Sequence, residues 1–166
     1  MLKWYLNGHK WLFFVAFCMV MFCVQSVNAQ GVKQELVEAF LKDAIDMKIP
    51  DEQLIKKYMC NDLPIPKDEK ARGAHEFFTQ QVYRFRMMLL GQSKKITDNF
   101  GNAITAYKNL PENERNVMIE EKDEDNVFRF KGEQNLVFNI LVSNGRILTF
   151  TTMNKGDRWV FLMLCA

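Results

Sequence analysis

The chain has 166 residues, with 22 Lys and Arg against 20 Asp and Glu, and the two excess positive charges are matched by Lys3 and Lys10 near its start. Beyond them the sequence is neutral and contains no Lys/Arg block, so it lacks the basic field that nucleic-acid binding requires, and nucleic acid is set aside as a partner. Its cysteines include no C-x-x-C pair, and its histidines have no partner at metal-ligand spacing, which leaves no metal or cofactor to assign.

Residues 1–29 carry the form of an export signal. Lys3 and Lys10 precede a 14-residue apolar run from Trp11 to Val24, and Val27, Asn28 and Ala29 set small or branched residues at the cleavage position. A membrane span needs about 18 or more apolar residues, which this run does not reach. Cys18 and Cys23 follow Phe17 and Phe22, bulky residues where a lipoprotein signal has a small one, so acylation does not fit. Cleavage after Ala29 leaves residues 30–166 as a single exported domain, periplasmic or secreted, with no stable membrane span. It also leaves two cysteines, Cys60 and Cys165, and one histidine, His75. In an oxidising compartment the two cysteines either form a bridge between the helical half and the chain end or stay as separate buried thiols.

Helices come first. Val32, Leu36, Phe40, Ala44 and Met47 recur at helical spacing and predict an amphipathic helix over Val32 to Lys48, ended by Ile49-Pro50. Asp51 offers an N-cap for a shorter helix carrying Leu54, Ile55, Tyr58 and Met59. Two prolines between Asn61 and Pro66 predict an extended connector. The longest helix runs from about Asp68 to Leu90 on a seam of Ala71, Ala74, Phe78, Val82, Phe85 and Leu89. Phe77, Met87, Met88 and Leu90 widen that seam, which predicts burial of the carboxy-terminal end, and Gly91 closes the helix.

Ser93 to Asn116 mixes signals, with Ala103 to Leu110 read as a strand. Beyond Pro111 the period becomes two. Asn116 to Lys122 and Val127 to Lys131 are short alternations around the acidic turn Asp123-Glu124-Asp125. Leu136 to Ser143 and Arg146 to Met153 flank Asn144-Gly145, a two-residue hairpin signal. Lys155-Gly156-Asp157 makes the next turn. Trp159 to Cys165 is apolar on both faces and reads as a doubly covered strand.

The fold class is therefore α+β, with two to three N-terminal helices packed on a five- to six-stranded antiparallel meander sheet. This element order, across most of residues 32–165, resembles the cone-shaped fold of cystatin-like and nuclear transport factor 2-like proteins. The resemblance implies either an exported binding module or a small-molecule enzyme such as the isomerases of that superfamily. It transfers no active-site residue, because no motif carries it.

Candidate chemistry is sparse. Ser93 and Ser143 lie in no nucleophile elbow, and the acids around Asp123 point in several directions, as a solvated turn does. His75 lies beside the long helix seam, and Tyr58, Tyr83 and Tyr107 each offer one hydroxyl on an apolar body; in an open cone these four would contact a small ligand. Each also fits a packed or boundary position. Ten phenylalanines after the cut, with Met87, Met88 and the Trp159 strand, either fill an ordinary core or leave surface for a partner. The leading expectation is a non-enzymatic exported domain binding a small apolar ligand or a protein partner at the cell envelope. The alternative is an isomerase or hydrolase using a cone-shaped pocket, and a third reading is self-association through an unprotected edge of the last strands.

Overall fold

The computed structural model describes residues 30–60, 69–156 and 158–164. The export signal expected over residues 1–29, the expected Asn61 to Pro66 connector and Cys165 lie outside the described residues. Contacts divide the chain into two units, residues 1–32 and 33–166, and the fold below is that of the second.

Helix α1 spans residues 30–45 of the described chain, and Val37, Phe40, Leu41 and Ala44 form its fully buried stripe. It stops three residues short of the expected Lys48. In the turn that follows, the Ile49 amide donates to the Asp46 carbonyl at 3.0 Å and the Lys48 amide to the Asp46 side chain at 3.0 Å. Helix α2, Asp51–Tyr58, begins with Pro50 at the cap position and no side-chain cap, so the Asp51 carboxylate does not cap its own helix. It is drawn instead to Arg86.

Helix α3, Glu69–Leu90, buries Phe78, Val82, Phe85 and Leu89, a single seam with the three-four spacing that a helix needs to keep one face inward. The expected burial of its carboxy-terminal end holds for Phe85, Arg86 and Leu89 but not for the outward side. Met87, Met88 and Leu90 are exposed, because the sheet covers one side of the helix and among the described residues no layer covers the other.

Residues 94–126 are built mostly from single turns: α4, Lys94–Thr97, and 3-10 turns at Phe100–Ala103, Tyr107–Asn109, Glu112–Glu114 and Glu121–Asn126. The strand expected over Ala103 to Leu110 shrinks to β1, Ile104–Ala106. The strand expected over Asn116 to Lys122 is reduced to one parallel bridge between Val117 and Trp159. A side chain accounts for this: the Tyr107 hydroxyl takes both backbone groups of Val117, accepting from its amide at 2.9 Å and donating to its carbonyl at 3.1 Å.

Strands β2 (Val127–Lys131), β3 (Val137–Ser143) and β4 (Arg146–Thr149) continue from β1 as a four-stranded antiparallel sheet in the order β1-β2-β3-β4. Asn144 and Gly145 turn the β3–β4 hairpin with φ of 51° and 71°, the left-handed pair that a two-residue hairpin demands. Strand β2 is buried on both faces. Phe128 and Phe130, with Ile140 and Val142 of β3, meet the helices, while Val127 and the partly buried Leu141 pack with Tyr107, Leu110 and Val117 on the other side. Each fully buried side chain of this size contributes about 1.5–3 kcal/mol.

The run Arg146 to Met153 divides where one strand is expected. Leu148 is the extra residue of a bulge, since Leu141 faces Thr149 while Val142 faces Ile147, and a bulge bends its strand. The Thr149 hydroxyl then accepts from the Thr151 amide at 3.1 Å and donates to the Leu162 carbonyl at 2.6 Å. Between them Phe150 turns into the core. The chain continues as β5, Thr152–Lys155, and β6, Arg158–Phe161, a separate two-stranded antiparallel sheet. The doubly covered strand expected from Trp159 is therefore an exposed one: Trp159 is 40% accessible, and Phe161 is only partly buried against the Val117 cluster.

Candidate functional site

Aromatic rings pack against one another between α3 and the sheet. Phe85 stacks on Phe150 at 4.1 Å between ring centres, meets the edge of Phe138 at 4.7 Å and stacks on Phe40 at 5.5 Å.

Two of the four candidate ligand contacts are occupied elsewhere. The Tyr58 hydroxyl donates to Asp43 Oδ2 at 2.8 Å, and Lys57 Nζ reaches the same oxygen at 2.7 Å while lying 4.9 Å from the Tyr58 ring centre. Burial pushes the Asp43 carboxyl up, but the Lys57 and Tyr58 hydrogen bonds and the Lys57 charge outweigh it and leave the group below its ordinary value. Burial raises the Tyr58 phenol. Tyr107 is buried on the far face of the sheet and bonded to Val117, and its phenol too is raised, chiefly by burial.

Tyr83 and His75 do come together. With Asp51, Glu76, Thr79 and Gln80 they line an open groove of about 450 Å³ along α3. His75 Nδ1 is buried and without a hydrogen-bond partner among the described residues, whereas its backbone carbonyl accepts from the Thr79 hydroxyl at 3.0 Å. A buried ring nitrogen left unmatched costs free energy that a suitable donor or acceptor in the groove would recover.

One wall of the groove, Asp51, is held by a residue that the sequence patterns do not single out. Arg86, 2% exposed, donates from Nε to the Ala44 carbonyl at 2.8 Å, from Nη1 to the Ile49 carbonyl at 2.8 Å and from Nη2 to the Asp46 carbonyl at 2.7 Å, and it pairs with Asp51. The cation thus closes the end of α1 and fixes Asp51 at the start of α2, where a carboxylate also suits the helix dipole. Its one sequence signal is a lone charge inside Phe85-Arg86-Met87-Met88, an apolar run that buries only one face.

Continuous with Tyr83, the outward side of α3 carries Phe77, Met87, Met88 and Leu90, and these five side chains are between 40% and 50% exposed. Among the described residues Phe77 is the one exposed phenylalanine. Arg84 and Glu76 lie exposed among these residues, and neither forms an ion pair among the described residues. No three His, Cys, Asp or Glu side chains of the described residues gather to hold a metal, and no described helix is long and apolar enough to cross a membrane.

No known protein family, no curated protein and no solved structure matches the chain.

Proposed function

We propose that this chain is an exported, non-enzymatic α+β domain that binds a protein partner at the cell envelope through the outward face of α3. The observation that carries the reading is the presence of five exposed large apolar side chains on one helix, beside an interior packed with aromatic rings. A patch of that kind on a folded surface marks an interaction site more often than it marks spare core. The leader in residues 1–29 supports export, with Gln30 as the first residue of the mature chain. Helices followed by antiparallel strands in meander order support kinship with the cystatin-like and nuclear transport factor 2-like cone, with the six described strands divided four and two.

Site-specific photo-cross-linking tests the reading. A photoreactive residue at Tyr83, introduced into the chain expressed in its own cells, is expected to yield an adduct heavier than the chain. The same group at Thr105, exposed on β1, serves as the control and is expected to yield none. No adduct at Tyr83, or equal adducts at both positions, would overturn the proposal.

One observation favours a second reading. The unmatched His75 Nδ1 beside Tyr83 suits a small apolar ligand with one polar group, and in the enzyme alternative the same pair would serve an isomerase or hydrolase. Ligand-dependent changes in the His75 ring resonances would favour it over protein docking.

A further inference from the structure

We propose that the partner taken by α3 is a second copy of this chain, packed antiparallel, helix against helix, about a two-fold axis near Gln80 and Tyr83; this rests on the reading that the outward face of α3 is a binding surface. Besides its buried seam, α3 carries a second seam of the same kind on its outside. Gly73, Glu76, Gln80, Tyr83, Met87 and Leu90 follow one another at alternating steps of three and four, and all six are exposed. That is the repeat by which one helix grips another. A helix that needed only to cover the sheet has no use for it twice.

Orientation follows from size and charge. In the antiparallel arrangement Gly73 faces Leu90 of the second copy, Glu76 faces Met87, and Gln80 faces Tyr83, where its amide reaches the phenol. Nothing lies within 4 Å of a Cβ built on Gly73, so that position is an open hole for a leucine knob. Phe77 and Arg84 flank the seam on the same side of the helix. The arrangement brings Arg84 of one copy over Phe77 of the other, within reach of its Glu76, and the symmetry makes both contacts twice. A parallel pair would instead set Glu76 against Glu76 and carry Arg84 of one copy away from Phe77 of the other, which disfavours it.

The size of the surface sets the strength. A 22-residue helix is about 33 Å long at 1.5 Å per residue, and one helix face alone falls at the low end of specific interfaces. The dimer is therefore a weak, concentration-dependent one that dissociates in the micromolar range. In it the second copy covers the groove beside His75.

Sedimentation equilibrium of the purified mature chain across the micromolar range is the test. A monomer–dimer equilibrium is expected, weakened at least about tenfold by Met87→Glu, an exposed substitution that leaves the core untouched. Glu76→Arg and Arg84→Glu each weaken it as well, and the double reversal restores it, because the pair then meets with its signs exchanged. A monomer at every concentration, or a dimer indifferent to all these changes, would sink the proposal. If the purified chain is monomeric while Tyr83 still cross-links in cells, self-pairing falls and the protein-binding reading stands; no adduct in either setting removes both.

Discussion

The guanidinium of Arg86, on α3, is buried, and the carboxylate it holds, Asp51, is a wall of the surface groove. Core and site are thereby built together. The cation satisfies three carbonyls of the α1–α2 turn and positions the first residue of α2, so the groove that His75 and Tyr83 line takes its shape from a charge that solvent barely reaches.

Replacing Arg86 by Met keeps the bulk and removes the donors. Three backbone carbonyls and the Asp51 carboxylate then lose their partner together, and breaking a buried ionic network of this kind costs about 3–5 kcal/mol. Urea unfolding is expected to report a loss of that size. Asp51→Asn should cost less, since the amide oxygen still accepts from Arg86. An Arg86→Met variant as stable as the parent would contradict the structural role.

Tyr107→Phe leaves the ring in place and strips both backbone groups of Val117 of their partner, at an expected cost of about 1–3 kcal/mol. The phenol also gives stability an alkaline limit. Its folded value is raised, chiefly by burial, so its contribution is complete below the ordinary phenol value and is lost as pH rises through the folded one. Unfolding midpoints measured from pH 8 to about 11 should fall less steeply for the Phe variant than for the parent.

Asp43 sets an acid limit of the opposite sign. Its folded value is depressed, because hydrogen bonds from Lys57 and Tyr58 and the Lys57 charge outweigh the cost of burial. The stabilisation is present above the ordinary carboxylate value and disappears as pH falls through the folded one. Tyr58→Phe removes one of the two hydrogen bonds, so the Asp43 titration followed by carboxyl-carbon NMR is expected to move upward. No movement would mean that the Tyr58 hydroxyl does not hold the anion.

What the sequence made legible was whatever repeats along the chain. The inner seam of α3 from Phe78 to Leu89, the bounds of β2 and the Asn144-Gly145 hairpin all follow from local periodicity or from the φ that two residues must adopt, whereas Ala74, expected on the same seam, is exposed. Side chains that do the work of backbone were hidden. The Tyr107 hydroxyl replaces a strand ladder at Val117, and Thr149 helps to end β4 through its own hydroxyl. Buried arginines were hidden for the same reason: Arg129, which bonds Asn139, Glu114 and Asn116, alternates with Phe128 and Phe130 as a solvent-facing residue would. At the site, the pairing of His75 with Tyr83 was invisible as a pair, although eight residues along a helix bring both to one side. Phe77, Met87, Met88 and Leu90 read as a widening of the inner seam, since periodicity gives the width of an apolar stripe and says nothing of whether a neighbour covers it.

Cys60, two residues beyond the end of α2, is disulfide-bonded. Under the proposed cleavage after Ala29, which would take Cys18 and Cys23 with it, Cys165 is the one other cysteine of the mature chain, and a Cys60–Cys165 bridge is then the expected linkage. Such a bridge joins the helical layer to the last residue but one and closes a loop of about 100 residues, worth about 4–5 kcal/mol in the chain-entropy model. The β5–β6 sheet precedes Cys165 directly and offers an exposed Trp159, so this tether would hold the least buried strands against fraying. The mature chain is expected to begin at Gln30, to take up no thiol reagent until reduced, and to take up two equivalents afterwards, as read by intact mass. Cys60→Ser should lower the urea midpoint, and reduction of the parent should lower it equally, because both remove the same constraint. Free alkylation of the unreduced chain would exclude the bridge, and a mass that starts elsewhere would move the cleavage site.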